Sequence, residues 1–146
     1  MIRVMLLMCY LVVLSIYDIR HKAVPGWSIL VGGIFAGINI VYTISQSEGN
    51  MILLLSVILL PLIPGLFMLL VGRISGKVGL ADGCVLLVVG SVLDGREMYL
   101  VFGASLLLSA VFAIVLLTCR RIKGKDKLPY LPFLTAAVLM VLWKYK

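Results

Sequence analysis

The sequence predicts an all-α integral membrane protein, a bundle of about six transmembrane helices that forms a single domain over residues 1–146. Three observations predict it. Of the 146 residues, 63% are hydrophobic and only 13% are charged, with a mean hydropathy of +1.21. Soluble domains carry roughly 25% charged and 45–50% apolar residues. The apolar residues fall into six runs joined by short polar connections, which leaves no length for a second domain. Bases outnumber acids 13 to 6 and gather in alternate connections. In so apolar a chain this is the pattern of loops held at a cytoplasmic membrane face, not of a surface for nucleic acid.

Ile2 to Tyr17 is the first run, with Arg3 near its start. It has the basic start and apolar core of a signal peptide. No small-x-small cleavage pattern follows, so it reads as a retained first helix. Asp18 to Gly26 is a polar turn with Arg20, His21, Lys22 and Pro25. Trp27 to Ile44 is the second span, opened by an interfacial tryptophan. Its Gly33 and Gly37 form a small-xxx-small pair, read as a helix-packing face. Ser45 to Asn50 is a polar loop, and Met51 to Val71 the third span, which Pro61 and Pro64 should kink.

Gly72 to Gly79 is a second basic loop, with Arg73 and Lys77. The fourth run, Leu80 to Leu93, covers roughly 21 Å at 1.5 Å per residue, short of a hydrocarbon core of roughly 30 Å. Asp94-Gly95-Arg96-Glu97 reads as a tight polar loop, and Met98 to Thr118 as the fifth span. Cys119 to Lys127 is strongly basic. Leu128 to Trp143 is the sixth span, with Pro129 and Pro132 in its first turn, where proline costs a helix little. The connections after runs one, three and five hold nine bases, while the termini and other loops hold four. The positive-inside rule therefore sets the nine in the cytoplasm and both termini outside, in a multi-pass protein of the plasma or inner membrane.

Two acids then stand out. Asp18 ends the first run and Asp82 begins the fourth, so both are expected at the cytoplasmic face. Carboxylates at a membrane boundary are costly and ask for a reason. Two carboxylates brought together share a proton and titrate as a pair. The ionised member can take a proton from water while the protonated one donates to a carbonyl oxygen under attack. That is aspartic-protease chemistry and calls for no metal or cofactor. Other chemistries have less behind them. Cys9, Cys84 and Cys119 are odd in number and far apart, and with one histidine a structural zinc site is not expected. Singly, each acid also has a bland reading: Asp18 as an interfacial partner of Arg20 or Lys22, Asp82 as a helix cap.

The residues around both acids carry a resemblance. Asp18-Ile19-Arg20-His21-Lys22-Ala23-Val24-Pro25 resembles the first motif of the type IV prepilin peptidases, an Asp, a basic residue two on, then an aliphatic-Pro pair. Gly79-Leu80-Ala81-Asp82 resembles their Gly-x-Gly-Asp motif, and Leu128-Pro129-Tyr130-Leu131-Pro132-Phe133 the Pro-Phe-x-Pro-Phe stretch that opens their last helix. The three occur in order over nearly the whole chain. The resemblance implies a single transmembrane peptidase domain with its active site at the cytoplasmic face. It implies a catalytic pair Asp18 and Asp82, with Arg20, Lys22, Pro25, Gly79, Ala81, Pro129 and Pro132 as motif support. The implied partners are prepilin or prepilin-like precursors and membrane lipid, and the implied form is minimal and peptidase-only. The chain departs from the family at Ala81, which replaces the second glycine and does not reach φ > 0 cheaply. It departs again at Gly26 and at Gly83-Cys84. Two rivals stay open: a broader Gly-x-Gly-Asp intramembrane protease, and a small transporter or assembly subunit that uses the acids for structure or protons.

Overall fold

A computed structural model describes residues 2–21, 24–46, 51–75, 79–118 and 130–145. Among them are six helices and no strand: α1 (Ile2–His21), α2 (Gly26–Gln46), α3 (Met51–Ser75), α4 (Leu80–Gly90), α5 (Gly95–Thr118) and α6 (Leu131–Tyr145). Four segments are long and apolar enough to cross a membrane: Ile2–His21, Gly26–Gln46, Leu54–Ser75 and Gly95–Thr118. α4 and α6 are apolar but shorter. Large apolar side chains line the outside, among them Leu30, Ile34, Leu70, Leu107 and Ile114. Such a surface suits lipid, where helix association rests on close van der Waals fit rather than on burial from water.

The chain divides into two units, one of Met1–Leu7 with Pro25–Tyr99 and one of Met8–Val24 with Leu100–Lys146. In the first unit α4 lies against α2 and α3. α3 and α4 run antiparallel, with three contacts in register: Leu69 over Gly83, Leu87 over Gly65, and the Pro61 carbonyl over Gly90. A Cβ at Gly83 would fall 2.9 Å from the Leu69 backbone nitrogen, and one at Gly65 2.9 Å from that of Leu87. These glycines are therefore spacers that bring two backbones together. Val85, Leu86, Val88 and Val89 are all buried, because α4 is enclosed on most of its circumference.

In the second unit the buried positions of α1 are Leu11, Leu14, Ser15 and Asp18, and those of α6 are Leu131, Leu134, Thr135, Ala137, Val138 and Val141. Both sets follow the three-and-four spacing of one helix face. Hydrogen bonds join Asp18 to Leu131 and Ser15 to Thr135, so the two seams meet antiparallel.

Several boundaries differ from the sequence expectation. α1 continues through Asp18 to His21, because no breaker stands before Pro25 and the rings of Tyr17 and His21, one turn apart, stack at 4.3 Å. α5 begins at Gly95, so Asp94-Gly95-Arg96-Glu97 is a helix start rather than a loop. Asp94 and Glu97 have the spacing of a capping box, and Met98 N–H donates to the Asp94 carbonyl at 2.9 Å. α4 stops at Gly90, three residues before the expected Leu93. Gly33 and Gly37 meet nothing within 4 Å, so this pair is not a contact face within the described residues.

Candidate functional site

Asp18 falls on the buried seam of α1 because it follows Leu14 by four residues. The residue is 6% exposed. The Leu131 backbone N–H donates to Asp18 Oδ2 at 3.3 Å, and the Tyr130 backbone also hydrogen-bonds the carboxylate. A helix start leaves its first N–H groups without internal partners and presents a partial positive charge. At α6 these groups are accounted for: Leu131 N–H goes to Asp18, Pro132 has none to place, and Phe133 N–H goes to the Tyr130 carbonyl at 3.1 Å. The third motif thus has a physical role beside the first, since its backbone holds the Asp18 carboxylate.

Two buried side-chain bonds fix this junction. The Tyr130 hydroxyl and Ser105 Oγ of α5 are 2.7 Å apart. Thr135 Oγ1 donates to the Leu131 carbonyl at 2.8 Å, which leaves the Ser15 hydroxyl to donate to Thr135. Sequence reasoning missed Ser15, Ser105, Tyr130 and Thr135. The available signal was spacing: Leu11, Ser15 and Asp18 recur at helical intervals, as do Leu131 and Thr135.

Asp82 lies in the other unit, in the first turn of α4. Its N–H donates to the carbonyl of Gly79, the N-cap residue, at 3.1 Å. Gly79 has no side chain with which to cap the helix. The Asp82 carboxylate folds back over the Gly79 Cα. A Cβ at Gly79 would sit 3.0 Å from Asp82 Oδ2. Gly79 has an ordinary extended backbone (φ −65°, ψ 124°), so its value here is space, not conformational freedom. Ala81 is helical, a conformation in which alanine is the best residue, and the expected penalty for replacing glycine does not arise.

Of the supporting residues, Arg20 is exposed in the last turn of α1. The Pro25 carbonyl starts α2, accepting from Ser28 N–H at 3.0 Å and Ser28 Oγ at 2.7 Å. Lys22 and Pro129 lie outside the described residues. No three His, Cys, Asp or Glu side chains cluster among the described residues. Comparison of the chain with known protein families, curated proteins and solved structures finds no match.

Proposed function

We propose that the chain is a prepilin leader peptidase of the plasma or inner membrane, an aspartic endopeptidase working at the cytoplasmic face. One observation carries the reading: a carboxylate buried in an apolar helix, Asp18, is held by the backbone of the segment that bears the third motif. In this reading Asp18 and Asp82 act as a catalytic pair. The ionised acid takes a proton from water as the water oxygen attacks the scissile carbonyl carbon. The protonated acid donates to the carbonyl oxygen, and the C–N bond then breaks as the leaving nitrogen is protonated. The basic loops face the cytoplasm, both termini face outward, and α4 and α6 complete a set of six spans despite their length.

The substrate follows from the cytoplasmic position that this reading gives the acids. A precursor with a short basic leader and an apolar mature helix emerges from lipid where the leader begins. A glycine just before the cut lets its backbone come close to the acids. A second reading is favoured by the same hydrogen bond: Asp18 serves only to cap α6, and the protein is a non-catalytic assembly or transport subunit. The test is co-expression with a prepilin-like precursor and with a Sec-type precursor, followed by sequencing of the new N-termini. The expected product is the prepilin cut at the leader boundary alone. Cleavage within the apolar helix moves the assignment to a broader intramembrane protease, and no cleavage moves it to the capping role.

A further inference from the structure

The first unit contains a recess at the end opposite Asp82, and its origin is the shortness of α4. Gly90, the last residue of α4, lies against Pro61, ten residues into α3. At 1.5 Å per residue the floor of the recess is about 15 Å below the start of α3. α3 is apolar in sequence from its first residue, Met51, so this floor lies well inside an apolar stretch. The cavity is about 470 Å³ and is lined by Arg3, the end of α2 from Ile40 to Gln46, Val57 of α3, and Ser91 and Asp94. A second cavity of about 270 Å³ adjoins it, shares Val57 and Asp94, and adds Arg96.

The polar groups here are of opposite sign and are not paired with each other. The Arg3 guanidinium stacks over the Tyr42 ring, 4.5 Å from its centre, which leaves the N–H groups at its edge available. Asp94 is exposed in the recess, and its carboxylate has no ion-pair partner among the described residues. A lone carboxylate at this depth is costly. Pro61 has no N–H for the Val57 carbonyl, so a further acceptor borders the same space. Ile58, Leu62 and Val92 supply an apolar wall.

We propose that this recess binds one aminophospholipid, with the phosphate on Arg3, the primary ammonium on Asp94 and the Val57 carbonyl, and an acyl chain along the apolar wall. A primary ammonium offers three N–H donors to these acceptors. A choline headgroup offers none and needs aromatic faces, and the one ring at hand is already covered by Arg3. A glycerol headgroup brings no cation to Asp94.

The test is native mass spectrometry of the full chain, delipidated and then supplied with equimolar phosphatidylethanolamine, phosphatidylcholine and phosphatidylglycerol. The expected result is one retained phosphatidylethanolamine in preference to the other two. Arg3→Gln and Asp94→Asn should each weaken that preference about tenfold, the loss of one charge-assisted contact, while Arg3→Lys retains most of it. Asparagine is as good an N-cap as aspartate, so Asp94→Asn leaves the start of α5 intact, with helicity by circular dichroism as the check. Equal retention of the three lipids overturns the proposal. So does a preference unchanged in both charge-removing variants. Free phosphoethanolamine bound as tightly as the lipid also overturns it, assigning the recess to a soluble zwitterion.

Discussion

The carboxylate of Asp18 and the backbone N–H of Leu131 are hydrogen-bonded at 3.3 Å across 113 residues of sequence. The bond couples the last turn of α1 to the first residue of α6. It serves either reading of Asp18, since it fixes one carboxylate oxygen and also completes the helix start. Separating chemistry from capping requires a substitution that keeps an oxygen acceptor and removes the acid.

Asparagine is that substitution. Asp18→Asn should keep the bond to Leu131 and stay within about 1 kcal/mol of wild-type stability, the usual scale of a helix cap. Leader cleavage should fall at least about a hundredfold, as when a general acid or base is lost. Asp82→Asn should do the same. Membrane insertion, read from the fractionated protein, should be normal in both. Substantial cleavage by either single variant at normal expression ends the dyad assignment.

Gly65→Ala, Gly83→Ala and Gly90→Ala should each destabilise the α3–α4 pair by about 1–3 kcal/mol, the range for overpacking. Gly90→Ala should be the most severe, because its methyl group meets the Pro61 carbonyl rather than a side chain that can turn away. Gly33→Ala and Gly37→Ala should change stability by less than about 0.5 kcal/mol. Thermal unfolding in a fixed detergent measures all five. An equal loss at Gly33 would contradict the open surroundings of that position.

Ser15 and Thr135 should be energetically coupled. In a double-mutant cycle of Ser15→Ala and Thr135→Val, the coupling should be about 0.6 kcal/mol, the average for hydrogen bonds between membrane helices. Additive single effects would mean that the pair does not exchange a hydrogen bond in the membrane.

Thiol labelling from either side should find the connections around Lys22, Lys77 and Lys123 in the cytoplasm. Ser45–Asn50 and the Asp94 turn should label from outside. If Lys22 and Lys77 map to opposite faces, Asp18 and Asp82 approach from opposite sides and cannot share a substrate.

Much of this fold was legible because apolar run length is a direct consequence of membrane thickness. The run starting at Leu80 has the same start as its helix. The sequence misleads where a polar residue resembles a break. Asp18, Arg20 and His21 are compatible with continued helix, and only Pro25 is not. Asp94 and Glu97 mark a helix start, although polar clusters also mark loops. The glycines show a different limit. Sequence identifies small residues, but only neighbours decide whether they are spacers; Gly33 meets open space and Gly83 meets a backbone. At the candidate site, both acids stood out as costly charges in apolar surroundings. The hydrogen bonds of Leu131, Thr135 and Ser105 were hidden, because backbone donors and hydroxyls carry no sequence signal strong enough to name their distant partners.

The distance in sequence between Asp18 and Leu131 also sets an order of events during synthesis. At 5–20 residues per second, on the order of ten seconds separate the two residues as they leave the ribosome. The α3–α4 pair is local and can form in the interval. Asp18 cannot gain its α6 donor until Leu131 has left the ribosome. Until then the buried carboxylate lacks a donor, so translation order makes this junction a late step in maturation.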